Sequence, residues 1–153
     1  MTERNGAVYR VLISTKPAKG KVPRTKLAAD MSKYLAGENV SFRGFKVDYT
    51  GYTEFQKRVL EAARRIPHGE IRSYGEIAET VGRPRAARAV GSTMANNRIC
   101  IIVPCHRVVS TSGVGGFTGS LGYKITMLEL EGVTKNRWLT GRYTRSREGR
   151  HRR

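Results

Sequence analysis

Cys105 and His106 stand side by side in the run Pro104-Cys105-His106-Arg107-Val108-Val109. A cysteine sulfur is a strong nucleophile only as thiolate, and a neighbouring imidazole or a set of backbone dipoles brings its pKa from about 8.5 toward neutrality. Cys105 has that neighbour. Adjacent residues of an extended chain point to opposite faces, so His106 can serve Cys105 only through a tight turn or a bridging water. Taken alone, such a pair is more often a buried structural cysteine followed by a surface histidine.

The elements around the pair must decide. The apolar stretch 99–103 reads as a short buried strand bounded by Asn96-Asn97 and by Pro104, which places Cys105 where the strand stops and leaves Cys100 to pack within it. Upstream, Phe55, Val59, Leu60 and Ala63 recur with helical period from Thr53, and Ile66-Pro67-His68-Gly69 ends that helix. Ser73-Tyr74-Gly75-Glu76 is a capping box, in which hydroxyl and carboxylate satisfy the free N–H groups of a helix start. Gly82 stops this second helix, and Pro84 suits the first turn of a third running through 85–95, so the two form a helix-turn-helix.

The third helix carries Ala86, Ala87, Ala89, Gly91, Ser92 and Ala95, a nearly bare surface from which Arg88 projects. A major-groove reader would present Asn, Gln and Arg to base edges. Small residues around one long cation suit instead a close approach to a duplex, or else tight packing with Arg88 in an ion pair. The glycine-rich segment 112–119 includes Phe117 and Thr118 but lacks the signature of a nucleotide-phosphate loop. A last helix over 121–131 ends at Gly132, with Glu129 and Glu131 on different faces, either of which could orient His106. Ahead of these elements lie a β-type run at 8–14, an amphipathic helix at 26–35 ending at Gly37, and an extended piece at 40–47.

At 153 residues the chain suits one core of ordinary size. Lys and Arg number 29 against 12 Asp and Glu, a net charge of +17 spread over the whole length. That balance suits a partner rich in phosphate and a steep salt dependence, and an RNA binder fits it as well as a DNA binder does. With no apolar run of about 18 residues, and no apolar signal core at the start, a membrane span or export is not expected. The expected location is the cytoplasm, or the nucleoid of a prokaryote. Two cysteines and three histidines offer no familiar zinc spacing.

Thr53-x-Phe55-Gln56, Ile66-Pro67-x-Gly69, Ser73-Tyr74, Ala87-Arg88-Ala89-Val90-Gly91, Asn97, the Pro104 to Val109 run and Glu131-Gly132 together resemble the methylated-DNA-protein-cysteine methyltransferases, also called O6-alkylguanine-DNA alkyltransferases. The resemblance runs in order from about residue 53 to 133. It implies an α+β fold: a small N-terminal β-containing region at 1–50, a remnant of a ribonuclease-H-like sheet, then a helical C-terminal domain at 51–134 with a winged-helix-like helix-turn-helix, and a partly disordered basic tail at 135–153. It implies suicide DNA repair, in which double-stranded DNA is gripped through its minor groove and O6-alkylguanine, or O4-alkylthymine, is flipped out to give its alkyl group to Cys105.

By the same resemblance His106 is the base for Cys105 through a water, Glu131 rather than Glu129 orients His106, and Asn97 ties the helix-turn-helix to the active-site segment. Tyr74 lies against the flipped guanine or its phosphate. Arg88 fills the vacated stack, and backbone groups of Val108 and Thr118 meet the base. Arg83 and Thr111 fall at backbone contacts, while Arg107 braces the turn. No cofactor is implied, and the protein is expected to act as a monomer.

Three departures stand out. Phe117 occupies a position where many relatives carry Tyr, so stacking is retained without a hydroxyl. The N-terminal region is shorter than usual, and it has no Cys or His for the zinc site of some relatives, so no metal is expected. The rivals to alkyl transfer are a non-enzymatic binder of alkylated DNA that recruits other repair factors, a thiol hydrolase and a basic RNA-binding protein. Cys105 argues against the first, and the helix-turn-helix against the others.

Overall fold

The computed structural model describes residues 1–11, 13–14, 16, 19–21, 23–115, 121–135 and 137. Strands β1 (Thr2–Arg4) and β2 (Ala7–Arg10) form an antiparallel hairpin. Its turn is Asn5-Gly6, both at positive φ (50° and 73°), the two-residue loop whose twist matches the flanking strands. This Asn-Gly signal extends the β-type run toward the N-terminus. Beside β2, Val8 donates to Lys46 O at 2.8 Å and accepts from Asp48 N at 2.9 Å. The extended piece expected at 40–47 reduces to this one bridge at Val47. A turn closed by Phe45 N to Phe42 O interrupts it and lets both rings pack into the core.

Helix α1 (Lys26–Leu35) opens with the Thr25 hydroxyl accepting from Ala28 N. It buries Leu27, Ala28, Asp30 and Tyr34, and Gly37 follows at φ 91°, the left-handed conformation that suits a helix end. Helix α2 (Glu54–Arg64) opens with a capping box of Thr53 and Gln56, and its inner face is Val59, Leu60, Ala62 and Ala63. The Ser73–Glu76 box opens α3 (Tyr74–Thr80) as expected. Helix α4 (Ala87–Ala95) starts later than the sequence suggested. Pro84 lies in the preceding turn, closed by Ala86 N to Arg83 O, and Ala86 offers no side chain to cap the helix. Five α-helices are found among the described residues, the last being α5 (Leu121–Leu130).

The segment 99–103 is buried but is not a strand. Ile101 takes φ 73°, unusual for a β-branched side chain, and the chain turns back so that Val103 N donates to Ile99 O. Burial of Ile99, Ile101, Ile102 and Val103 in the main core offsets the cost of that turn. The N-terminal hairpin docks on it through Val11 N to Arg98 O, and the Arg98 guanidinium lies over the Tyr9 and Tyr52 rings. Beyond it, β3 (Arg72–Ser73) and β4 (Val108–Val109) form a short parallel pair. Ile71, Val109, Val114, Leu128 and Val133 make a second, smaller core under this pair. No helix among the described residues is long and apolar enough to cross a membrane.

Candidate active site

Between the 99–103 turn and β4, residues Cys105–Arg107 make a single 3₁₀ turn. Cys105 N donates to Val103 O at 2.8 Å and Arg107 N to Pro104 O at 2.9 Å. This tight winding turns three consecutive side chains inward, where an extended chain would alternate them. Cys105 is 2%, His106 0% and Arg107 7% exposed.

The inward cluster closes on Glu131, just past the end of α5. Glu131 Oε1 lies 2.7 Å from His106 Nε2, accepts from Tyr34 Oη at 2.7 Å and from Arg107 Nη2 at 2.9 Å, while Oε2 accepts from Arg107 Nε at 2.9 Å and Gly69 N at 3.0 Å. Arg107 also donates to Ile66 O at 2.6 Å, so it braces the turn against the end of α2. Burial favours a protonated Glu131, but the hydrogen bonds from His106 and Arg107 and the guanidinium charge prevail and hold the carboxyl well below the usual carboxylate range. Every neighbour of this ionised group must then donate to it, so His106 carries its proton on Nε2. Burial lowers the His106 pKa, with Arg107 and Lys124 adding to the effect against the opposing pull of Glu131. The ring is therefore neutral near pH 7, and its Nδ1 has a free lone pair, with no hydrogen-bond partner among the described residues.

The Cys105 thiol is held below its ordinary pKa, but not by His106. The Cys100 thiol contributes most, and the Asn97 amide and the Lys124 ammonium act in the same direction against burial. The Cys100 thiol is pushed up and stays protonated, its Sγ donating to Asn97 O at 3.7 Å. The 3₁₀ turn directs His106 Nε2 to Glu131 and leaves Nδ1 without a hydrogen bond to the sulfur. Asn97 sits just past the end of α4, donating to Val103 O at 3.1 Å and accepting from Ile99 N at 2.9 Å.

Lys124 and Tyr34 join the site without having been singled out in the sequence. Lys124 is fully buried, and its Nζ donates to Val108 O at 2.8 Å and lies 5.7 Å from the Tyr74 ring centroid. Burial brings its pKa down to about 8, and the Cys105 sulfur opposes the fall. The signal was available: positions 124, 127, 128 and 131 recur as i, i+3, i+4 and i+7 and are all buried. That stripe also separates Glu131 from the exposed Glu129.

Tyr74 opens α3, with its ring between two glycines. A Cβ on Gly91 would lie 4.0 Å from the ring, and one on Gly115 would meet the hydroxyl and lie 3.0 Å from ring carbons. Arg83, Arg88 and Thr111 are exposed, whereas Val108 is buried with its carbonyl already accepting from Lys124. Phe117 and Thr118 lie outside the described residues. Among the described residues, no three His, Cys, Asp or Glu side chains gather as a metal site. What the assembled groups offer is a thiol poised to ionise beside a neutral imidazole, which equips the sulfur as a nucleophile.

Residues 54–133, a little over half the chain, match the family model described as 6-O-methylguanine DNA methyltransferase, DNA binding domain. A methylated-DNA–protein-cysteine methyltransferase of Mycobacterium leprae is 54% identical over 104 residues, which are 67% of this chain and 62% of the relative. The chain thus spans less than two thirds of that relative's length. One from Methanosarcina acetivorans is 48% identical over 103 residues, covering 67% of this chain and 65% of the relative. The crystal structure of Mycobacterium tuberculosis OGT in complex with DNA superposes with a TM-score of 0.73 at 35% identity, covering 92% of this chain and 88% of that one. The chain belongs to the 6-O-methylguanine-DNA methyltransferase family.

Proposed function

We propose that the protein repairs DNA by moving the alkyl group of O6-alkylguanine, and of O4-alkylthymine, from duplex DNA onto Cys105, once per molecule. The observation that carries this reading is a buried cysteine of lowered pKa one residue from an imidazole that burial keeps neutral and Glu131 orients with Nδ1 bare. The Cys105 proton passes through a water to His106 Nδ1. The thiolate then attacks the alkyl carbon, the carbon–oxygen bond breaks, and the electron pair leaves on guanine O6. A thioether has no acyl carbon for water to attack, so the sulfur is not regenerated.

An O6 substituent inside the base stack is out of reach of a sulfur that is 2% exposed, so the nucleotide must be everted at a cost of a few kcal/mol. In this reading α4 approaches the minor groove with its small residues, Arg88 occupies the vacated stack, and Arg83 and Thr111 meet the backbone. Tyr74 lies against the everted guanine or its phosphate. The Val108 backbone, with Phe117 and Thr118, meets the base itself. Asn97 holds α4 to the active-site turn. The partner is double-stranded DNA, and one chain suffices. We further read α3, α4 and the β3–β4 pair as a winged-helix-like unit and the N-terminal hairpin as a remnant of a ribonuclease-H-like sheet.

Incubation with a duplex bearing one O6-methylguanine, followed by intact-mass measurement, tests the proposal. Wild type should gain one methylene and Cys105→Ser none. Duplex binding without any mass gain would leave a non-enzymatic binder of alkylated DNA.

A further inference from the structure

Tyr34 reaches the site from α1, outside residues 54–133. Its side chain is 1% exposed, and its hydroxyl donates to Glu131 Oε1 at 2.7 Å while lying 3.1 Å from His106 Nε2. Its ring is fixed edge-on against Phe42 at 5.8 Å and His68 at 6.3 Å. A hydroxyl has one proton to give. Nε2 must donate to Glu131, so the Tyr34 proton also goes to Glu131, and the phenol oxygen is left facing the Nε2–H.

We propose that Tyr34 is a positioning residue that holds the His106–Glu131 pair in the form with Nε2 protonated and Nδ1 bare, so that the N-terminal region completes the proton acceptor for Cys105. This rests on the alkyl-transfer reading given above. Glu131 Oε1 is the atom that must stay in line with Nε2, and Tyr34 donates to that same oxygen together with Arg107. The titratable and charged groups around His106 are Glu131 beyond α5, Lys124 on α5, Arg107 and Cys105 on its own turn, and Tyr34 on α1, with His68 against the Tyr34 ring. Burial and the Glu131 carboxylate push the Tyr34 hydroxyl above its ordinary range, so it remains a donor wherever transfer is measured.

A hydrogen bond to Glu131 withdraws negative charge from the carboxylate and weakens its hold on an imidazolium. Removing the hydroxyl therefore raises the His106 pKa, and a larger share of the imidazole is protonated and unable to take the Cys105 proton.

Tyr34→Phe keeps the ring packing and removes only the hydroxyl. Its transfer rate from an O6-methylguanine duplex should fall about 10-fold near pH 6, and the loss should shrink as the pH is raised toward about 8. A merely structural role would lower the rate equally at all pH values, and that result would overturn the proposal. Nitrogen-15 spectra of His106 without DNA give a second readout: bare Nδ1 in wild type, and a titration displaced upward in Tyr34→Phe. A proton found on Nδ1 in wild type, or an unmoved titration in the variant, would also overturn it. Tyr34→Met serves if the phenylalanine variant does not fold, and the wild-type spectrum needs no variant. The spectra require no methyl transfer, so failure of the alkyl-transfer reading would show separately as the absence of any mass gain in wild type.

Discussion

Lys124 and Val108 are joined by a hydrogen bond of 2.8 Å from the ammonium to the backbone carbonyl, and this bond fixes a buried cation near the Cys105 sulfur. Burial disfavours the charge and brings the Lys124 pKa down to about 8. Lys124→Met removes the cation at similar volume and should raise the Cys105 pKa. Transfer at pH 7 should slow about 10-fold and recover partly in more alkaline buffer. Single-turnover rates across pH check this.

Arg107→Met leaves the Glu131 carboxylate without its guanidinium partner in a buried site, a loss of about 3–5 kcal/mol. The pH dependence has a defined sign. The folded-state pKa of Glu131 is depressed, so its contribution to stability is complete above the unfolded value of about 4.3 and is lost as the pH falls through and below that value. Urea denaturation between about pH 7 and pH 3 should show a shallower acid-side decline in Arg107→Met than in wild type.

Gly115→Ala tests the Tyr74 slot. Gly115 has φ 77°, and an added Cβ would lie 3.0 Å from Tyr74 ring carbons. Backbone strain and ring displacement together should cost about 1–3 kcal/mol. Transfer should slow by more than the stability loss explains at a temperature where the variant is folded, as measured by denaturation and transfer side by side.

Arg88→Glu reverses an exposed charge on the small-residue face of α4. Duplex affinity should fall, and the slope of log affinity against log salt should flatten by about one or more. Fluorescence anisotropy across a salt series measures both. Cys105→Ser should bind duplex as wild type does.

Much of this site was legible because local chemistry and tertiary structure agree. The Ser73–Glu76 box opens α3 as read, and the Thr53–Gln56 box opens α2 by the same rule. Cys105, His106 and Glu131 were legible as residues and the family resemblance implied the His106–Glu131 pairing, but Cys100 and Lys124 as neighbours of the sulfur were not. The turn at 99–103 could not be read because Ile101 adopts a backbone conformation that its side chain disfavours, stabilised by core burial. Without that turn, Cys100 reads as core filling rather than as a thiol beside Cys105. Tyr34 carries no motif, since its function depends on a contact 97 residues away in sequence. Lys124 was legible in principle from the 124, 127, 128, 131 stripe, but a lysine in an otherwise apolar pattern is normally assigned to the surface.

The most direct test is to map the methyl group. After reaction with an excess of duplex carrying isotopically labelled O6-methylguanine, label should saturate at one methyl per chain, all of it on the peptide containing Cys105. Label on Cys100 or elsewhere, more than one turnover per chain, or no label at all would contradict the account.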